Sequence, residues 1–207
     1  AAHWSVRAAA AKAFGRLHAQ GVTSCHSDRD APGVEAAAAA RLAALLQDDV
    51  PDVAEAAAAA LGSLSIHGAR LASQLAACLE NEDLELRVAA SESLHRLFLA
   101  PAKDVREAAA AGIGVFFARG GWAPSEEVEQ LVHALATLTQ DEDRHVREEV
   151  AKTLGSIGSC SSVVSRKWNR LLSFILTSLL ALVQEDLAPS VQRAAVEALG
   201  RMDLQKE

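Results

Sequence analysis

Residues 42–64 read LAALLQDDVPDVAEAAAAALGSL and residues 135–157 read LATLTQDEDRHVREEVAKTLGSI. Laid over one another without a gap, they match at Leu42/Leu135, Leu45/Leu138, Asp48/Asp141, Val53/Val146, Leu61/Leu154 and Gly62/Gly155. The second half of each unit recurs elsewhere: VRAAAAKAFG from Val6, LRVAASESLH from Leu86, VREAAAAGIG from Val105 and VQRAAVEALG from Val191. With the first residue of each copy as position zero, apolar residues at 0, +4 and +8 trace one face of a helix. Position +8 is Phe14, Leu61, Leu94, Ile113, Leu154 and Leu199. Position +9 is Gly15, Gly62, His95, Gly114, Gly155 and Gly200. Small residues along such a face let a second helix approach closely.

Four copies carry a matching upstream segment. Position −11 is Leu42, Leu75, Leu135 and Leu180; position −8 is Leu45, Cys78, Leu138 and Val183. Position −5 is Asp48, Asn81, Asp141 and Asp186. The unit therefore reads as a helix A, a tight turn and a helix B. Asp and Asn suit the turn because their side chains accept from nearby backbone N–H groups. Pro51 and Pro189 fall just before helix B, where a missing N–H costs little. Asp52 with Glu55, and Asp104 with Glu107, have capping-box spacing.

Composition agrees. The chain has 207 residues, 50% of them hydrophobic and only 4% aromatic, with no tyrosine, and about a fifth of it is alanine. Alanine loses no side-chain entropy in a helix, and little remains from which to build strands. The expected fold class is all-α. The 13-residue apolar run Leu171–Val183 is too short to span a bilayer and is expected as a buried helix, apolar on all sides.

This pattern resembles the HEAT-repeat (armadillo-like) family. The resemblance covers nearly the whole chain. It implies a single domain over residues 1–207, a right-handed α-solenoid of about five to six stacked helix pairs, with A helices in one layer and B helices in the other. Each pair has too little core of its own, so neighbours supply it. Successive zero positions differ by 47, 33, 19, 41 and 45 residues. The 19-residue step leaves no room for a separate A helix before Val105. Either the helix holding Leu94 and Leu97 doubles as that A helix, or the sequence lacks a stretch there. Linkers are expected at 18–34, 117–125 and 156–166. The chain opens Ala1-Ala2-His3-Trp4 without methionine, as expected of a processed sequence or part of a longer chain. The unit at Val6 has no A helix before it, which leaves an apolar face open unless more chain or a partner covers it.

Charge and side-chain chemistry narrow the function. With 20 basic against 27 acidic residues, a net −7, the chain offers no surplus for neutralising phosphates, so nucleic acid is not expected as a partner. Cys25, Cys78 and Cys160 form no Cys-x-x-Cys pair, which points to a reducing, intracellular compartment. No histidine pair has zinc spacing. One enzyme family built on HEAT repeats, deoxyhypusine hydroxylase, holds a di-iron centre through His-Glu dipeptides, and none occurs here. Cys25-His26 is the only adjacent soft-ligand pair, and metal binding there would need ligands from elsewhere. Gly112-Ile113-Gly114 lies inside a helical pattern and reads as packing rather than a phosphate loop.

Arginine recurs at +1, as Arg7, Arg87, Arg106 and Arg147, with Ala54 and Gln192 as departures. Two readings stand open. Arg87, Arg106 and Arg147 could line a surface that receives acidic partner segments. Alternatively each arginine bonds the turn Asp of an adjacent repeat, which the resemblance makes the usual role. Trp4, Trp122 and Trp168 are candidate interface anchors, or plugs in the solenoid core. The resulting expectation is a non-enzymatic scaffold or adaptor within a larger protein assembly, with no catalytic residues, metal or cofactor. The alternative is a tetrapyrrole-handling protein similar to bilin lyases, which share HEAT-like repeats; a small-molecule partner is otherwise not expected.

Overall fold

The computed structural model describes residues 3–20, 31–120, 122, 125–159 and 166–202. Among them the chain is helical and contains no strand. In order, the helices are α1 (Trp4–Ala19), α2 (Ala31–Leu45), α3 (Pro51–Leu61), α4 (Ser65–Arg70), α5 (Ala72–Ala77), α6 (Leu84–Phe98), α7 (Lys103–Ala118), α8 (Glu126–Thr137), α9 (Arg144–Gly158), α10 (Arg166–Glu185) and α11 (Pro189–Arg201). Single 3-10 turns, Cys78–Glu80 and Leu138–Gln140, extend α5 and α8. Helix therefore takes both ends of the first expected linker. Residues 21–30 and 160–165 lie outside the described residues.

The turns between A and B helices follow from their Asx residues. Asp48 accepts from the Val50 N–H at 3.1 Å, Asn81 from Asp83 at 2.9 Å, Asp141 from Asp143 at 2.9 Å and Asp186 from Ala188 at 2.8 Å. Pro51 and Pro189 open α3 and α11. The two expected capping boxes do not form. The N-caps of α3 and α7 are Val50 and Ala102, so Asp52 and Asp104 sit inside the first turn. There they meet the positive end of the helix dipole instead of a single N–H. Side-chain caps come from Asp83, Ser125 and Asp143, which accept from the N–H groups of Leu86, Val128 and His145. At the other end of α7, Gly120 has φ 68°, a left-handed turn that a side chain would disfavour.

The helices alternate between two layers. One contains α1, α3, α6, α8 and α10; the other contains α2, the bent pair α4–α5, α7, α9 and α11. This corrects the expectation that A and B helices keep separate layers. The B-type helices α1, α3 and α6 share the first layer, whereas the B-type helices α7, α9 and α11 share the second. The reason is the short 19-residue step: α6 serves as helix B of its own unit and packs on α7 in the place of a helix A. One skipped helix moves every later B helix across the stack.

Close approach follows the B helices, whichever layer they occupy. In four of the six copies, the +9 glycine faces the +7 residue of the next B helix. A Cβ on Gly15 would lie 3.0 Å from Ala60 Cα, one on Gly62 2.6 Å from Ser93 Cβ, and one on Gly155 2.5 Å from Ala198 Cβ. On Gly114 it would lie 2.9 Å from the Thr153 hydroxyl. Two of these +7 residues also bond across the contact: Ser93 Oγ is 2.9 Å from the Ala58 carbonyl, and Thr153 Oγ1 donates to the Ala110 carbonyl at 3.0 Å. Ser93 and Thr153 are fully buried, and these bonds satisfy hydroxyls that would otherwise cost stability. His95 replaces glycine in α6, where the next B helix is not a layer neighbour.

The apolar run in α10 also departs from expectation. Leu171, Ile175, Leu179 and Leu182 are buried at helical spacing, whereas Ser173 and Thr177 face solvent. Ser173 and Thr177 return their hydroxyls to the carbonyls of Asn169 and Phe174. One face, not the whole circumference, is buried, and only Leu180 of the run's apolar residues is largely exposed.

Candidate functional site

The recurrent arginines meet the turn aspartates. Arg7 forks onto Asp48, with Nε and Nη2 each 2.7 Å from a carboxylate oxygen. Arg106 forks onto Asp141 at 2.6 and 2.9 Å, and Arg147 onto Asp186 at 2.6 and 3.1 Å. The remaining nitrogen of each of the last two turns back to its own unit: Arg106 Nη1 donates to the Ala100 and Pro101 carbonyls, and Arg147 Nη1 to those of Asp141 and Glu142. Gln192 repeats only this inner half, donating to the Asp186 carbonyl at 2.9 Å. The result is a continuous line from Arg106 through Asp141, Arg147 and Asp186 to Gln192.

Arg87 cannot extend that line, because Ala100 occupies the turn position before Val105. It donates instead to Glu127 on α8 at 3.2 Å and to the Asn81 and Glu82 carbonyls. The guanidinium of Arg147 holds the Asp186 carboxyl below its ordinary value, and that of Arg7 does the same for Asp48. Arg87, Arg106 and Arg147 therefore have internal partners. Arg106 is the most enclosed, its side chain 8% exposed against 5% for Asp141.

The tryptophans separate. Trp122 and Trp168 are buried and stack edge-on at 5.0 Å, with Phe117 4.8 Å from Trp122. This cluster joins the end of α7 to the start of α10. Trp4 is 42% exposed and lies 5.6 Å from the His3 ring. Cys78 is buried, with its Sγ 3.4 Å from the Gln74 carbonyl, and burial pushes its thiol up to about 11. Cys78 is expected to resist alkylation at pH 8 in the folded chain and to react once denatured, as read by mass spectrometry of its peptide. Rapid labelling of the native protein would contradict the packing described.

His18 and His67 approach opposite oxygens of Glu35, at 3.5 and 3.8 Å. Among the described residues no three His, Cys, Asp or Glu side chains form a group that could hold a metal ion. Cys25-His26 lies outside those residues. Gly112, inside α7, packs on Ala72, and so belongs to a helix contact. Among the described residues no helix is long and apolar enough to cross a membrane.

Some surface features among the described residues are not absorbed by the ladder or the core. The outward stripe of α1 is Val6, Ala10, Ala13 and Leu17, all exposed. A trough of about 380 Å³ runs between α1 and α3, and a wider one of about 660 Å³ runs between α6 and α8. Arg96 lines both. Reading the sequence for motifs missed these troughs. The signal was His95, the one departure from glycine at +9, which marks where close packing of the first layer stops.

The fold and its internal ladder define an all-α solenoid. A HEAT-repeat family model matches residues 91–166, and a HEAT-like repeat model matches residues 4–64. The chain belongs to the HEAT-repeat α-solenoids. No curated protein matches it. Among solved structures, computationally designed armadillo repeat proteins for modular peptide recognition share 18% identity, covering 94% of this chain and 92% of that one, with a TM-score of 0.41. An engineered protein shares 18% identity over 98% of this chain and 92% of its own, with a TM-score of 0.39. The complex of CpcE and CpcF of phycocyanin lyase from Nostoc sp. shares 20% identity over 79% of this chain and 98% of that chain, with a TM-score of 0.40.

Proposed function

We propose that the chain is a non-enzymatic scaffold that holds other protein subunits in a larger assembly. The observation that carries this reading is the outward stripe of α1. Val6 and Leu17 are 58% and 44% exposed, and Ala10 and Ala13 between them are exposed too. Their i, i+4, i+7, i+11 spacing is that of a helix-packing face. On the opposite side the same helix buries Ala8 and Ala11 and packs on α3. An apolar stripe facing water beside a small residue at +7, Ala13, is a surface shaped for another helix. Trp4, at the start of the same helix, adds an aromatic anchor of the type enriched in interfaces.

A native pull-down of the tagged chain from its source extract tests this. We expect stoichiometric protein partners, lost on the double substitution Val6→Glu, Leu17→Glu while circular dichroism stays unchanged. Recovery of the chain alone, or partners indifferent to the double substitution, would overturn the reading.

A further inference from the structure

The two troughs of the first layer differ in character from the rest of this acidic chain. The floor between α1 and α3 is built from Ala11, Gly15, Ala56, Ala59 and Ala60, and its rim carries Lys12 and Arg16. These two cations stand one turn apart on α1 and make no ion pair among the described residues. The floor between α6 and α8 is Leu131 and Ala134, with His95, Arg96 and His133 around it. Arg96 links the two. It is about half exposed; its Nε donates to the Glu92 carbonyl at 3.4 Å and its Nη2 lies 3.8 Å from the Glu92 carboxylate, a loose pair on one helix face that a better carboxylate can displace. Against Lys12, Arg16 and Arg96, the troughs hold two carboxylates, Glu55 and Glu92. In a chain of net charge −7 that is a local reversal of sign.

We propose that these joined troughs bind an extended acidic segment of a partner protein, with small apolar side chains against the alanine floor and Asp or Glu side chains on Lys12, Arg16 and Arg96. This rests on the scaffold reading and names the chemistry of one partner. Four helices of one layer, spaced by about 10 Å each, span about 30 Å. An extended peptide of about nine residues covers that distance. The alanine and glycine floor between α1 and α3 lets an extended backbone lie close to the helices, which suits small side chains such as Ala, Val or Ser. A nucleic acid strand fits poorly: no Phe or Trp lines the troughs as a platform for base stacking, and the net charge of the chain opposes it.

Selection of a displayed library of random twelve-residue peptides on the intact 207-residue chain tests the proposal. The selected peptides are expected to be enriched in Asp and Glu, spaced by small residues. A synthetic peptide from that pool, followed by fluorescence anisotropy, should lose at least tenfold in affinity with Arg96→Glu or with Lys12→Glu, Arg16→Glu. It should also weaken as salt rises and be unaffected by Arg193→Glu on α11 in the other layer. No selected peptides, selection of basic or neutral ones, or indifference to the Arg96 and Lys12/Arg16 substitutions would overturn it. A chain that still recovers its subunits through α1 while failing this selection keeps the scaffold reading and loses the acidic segment.

Discussion

Replacing Arg106 with alanine is expected to lower the unfolding free energy by about 3 kcal/mol, the scale for removing one partner of a buried ion pair. The loss is large because the side chain closes four hydrogen bonds at once. Asp141 loses both fork bonds, and the Ala100 and Pro101 carbonyls lose their shared donor. The Asp141 carboxylate, 5% exposed beside Arg106, is then left without its partner. Arg7→Ala removes a similar fork whose arginine is 27% exposed, and a smaller loss is expected there. Urea titration of both variants ranks them. Midpoints of both variants equal to that of the unsubstituted chain would show that the ladder is a surface ornament rather than part of the core.

Gly155→Leu is expected to be at least as damaging, and Gly155→Ala to cost about 1 to 3 kcal/mol, the range for overpacking a closed contact. The new Cβ would meet Ala198 Cβ at 2.5 Å and its Cα at 2.8 Å, and a neighbouring backbone cannot swing aside as a flexible side chain can. Gly200 is the matching control. It occupies the same +9 position in α11 but has nothing within 4 Å, so Gly200→Ala should be neutral or raise stability by up to about 1 kcal/mol through helix propensity. Thermal melts of the two alanine variants separate close packing from propensity. If both lose the same stability, contact between B helices is not what the glycines provide.

Local chemistry made much of this legible. Asp48, Asn81, Asp141 and Asp186 sit at one offset because each closes the same turn, so four residues announce four turns. The recurrence of arginine at +1 likewise showed that something repeats along the stack, although the residue type alone left open whether the partner was internal. What the pattern could not show was three-dimensional assignment. Trp122 and Trp168 lie 46 positions apart, and nothing local says that their rings meet across α7 and α10. The apolar run of α10 misled because its two serines and its threonine return their hydroxyls to the backbone, which lets a polar face hide within a hydrophobic stretch. The troughs were out of reach for the same reason: a gap between helices is a property of what two distant segments fail to fill. His95 was visible as an exception, but its meaning depended on knowing that α6 and α7 are not layer neighbours.

The crossing of B helices from one layer to the other has a consequence for how surfaces are addressed along this chain. Because sequential helices alternate sides, the face on which a given motif appears depends on whether the number of helices before it is odd or even. A duplication of a whole pair preserves that parity and merely lengthens the stack. Gain or loss of a single helix at the α6–α7 junction reverses it, carrying every downstream binding feature to the opposite side without altering one of its residues. The molecule can thus present one kind of helix in two directions, and the junction is where that choice was made.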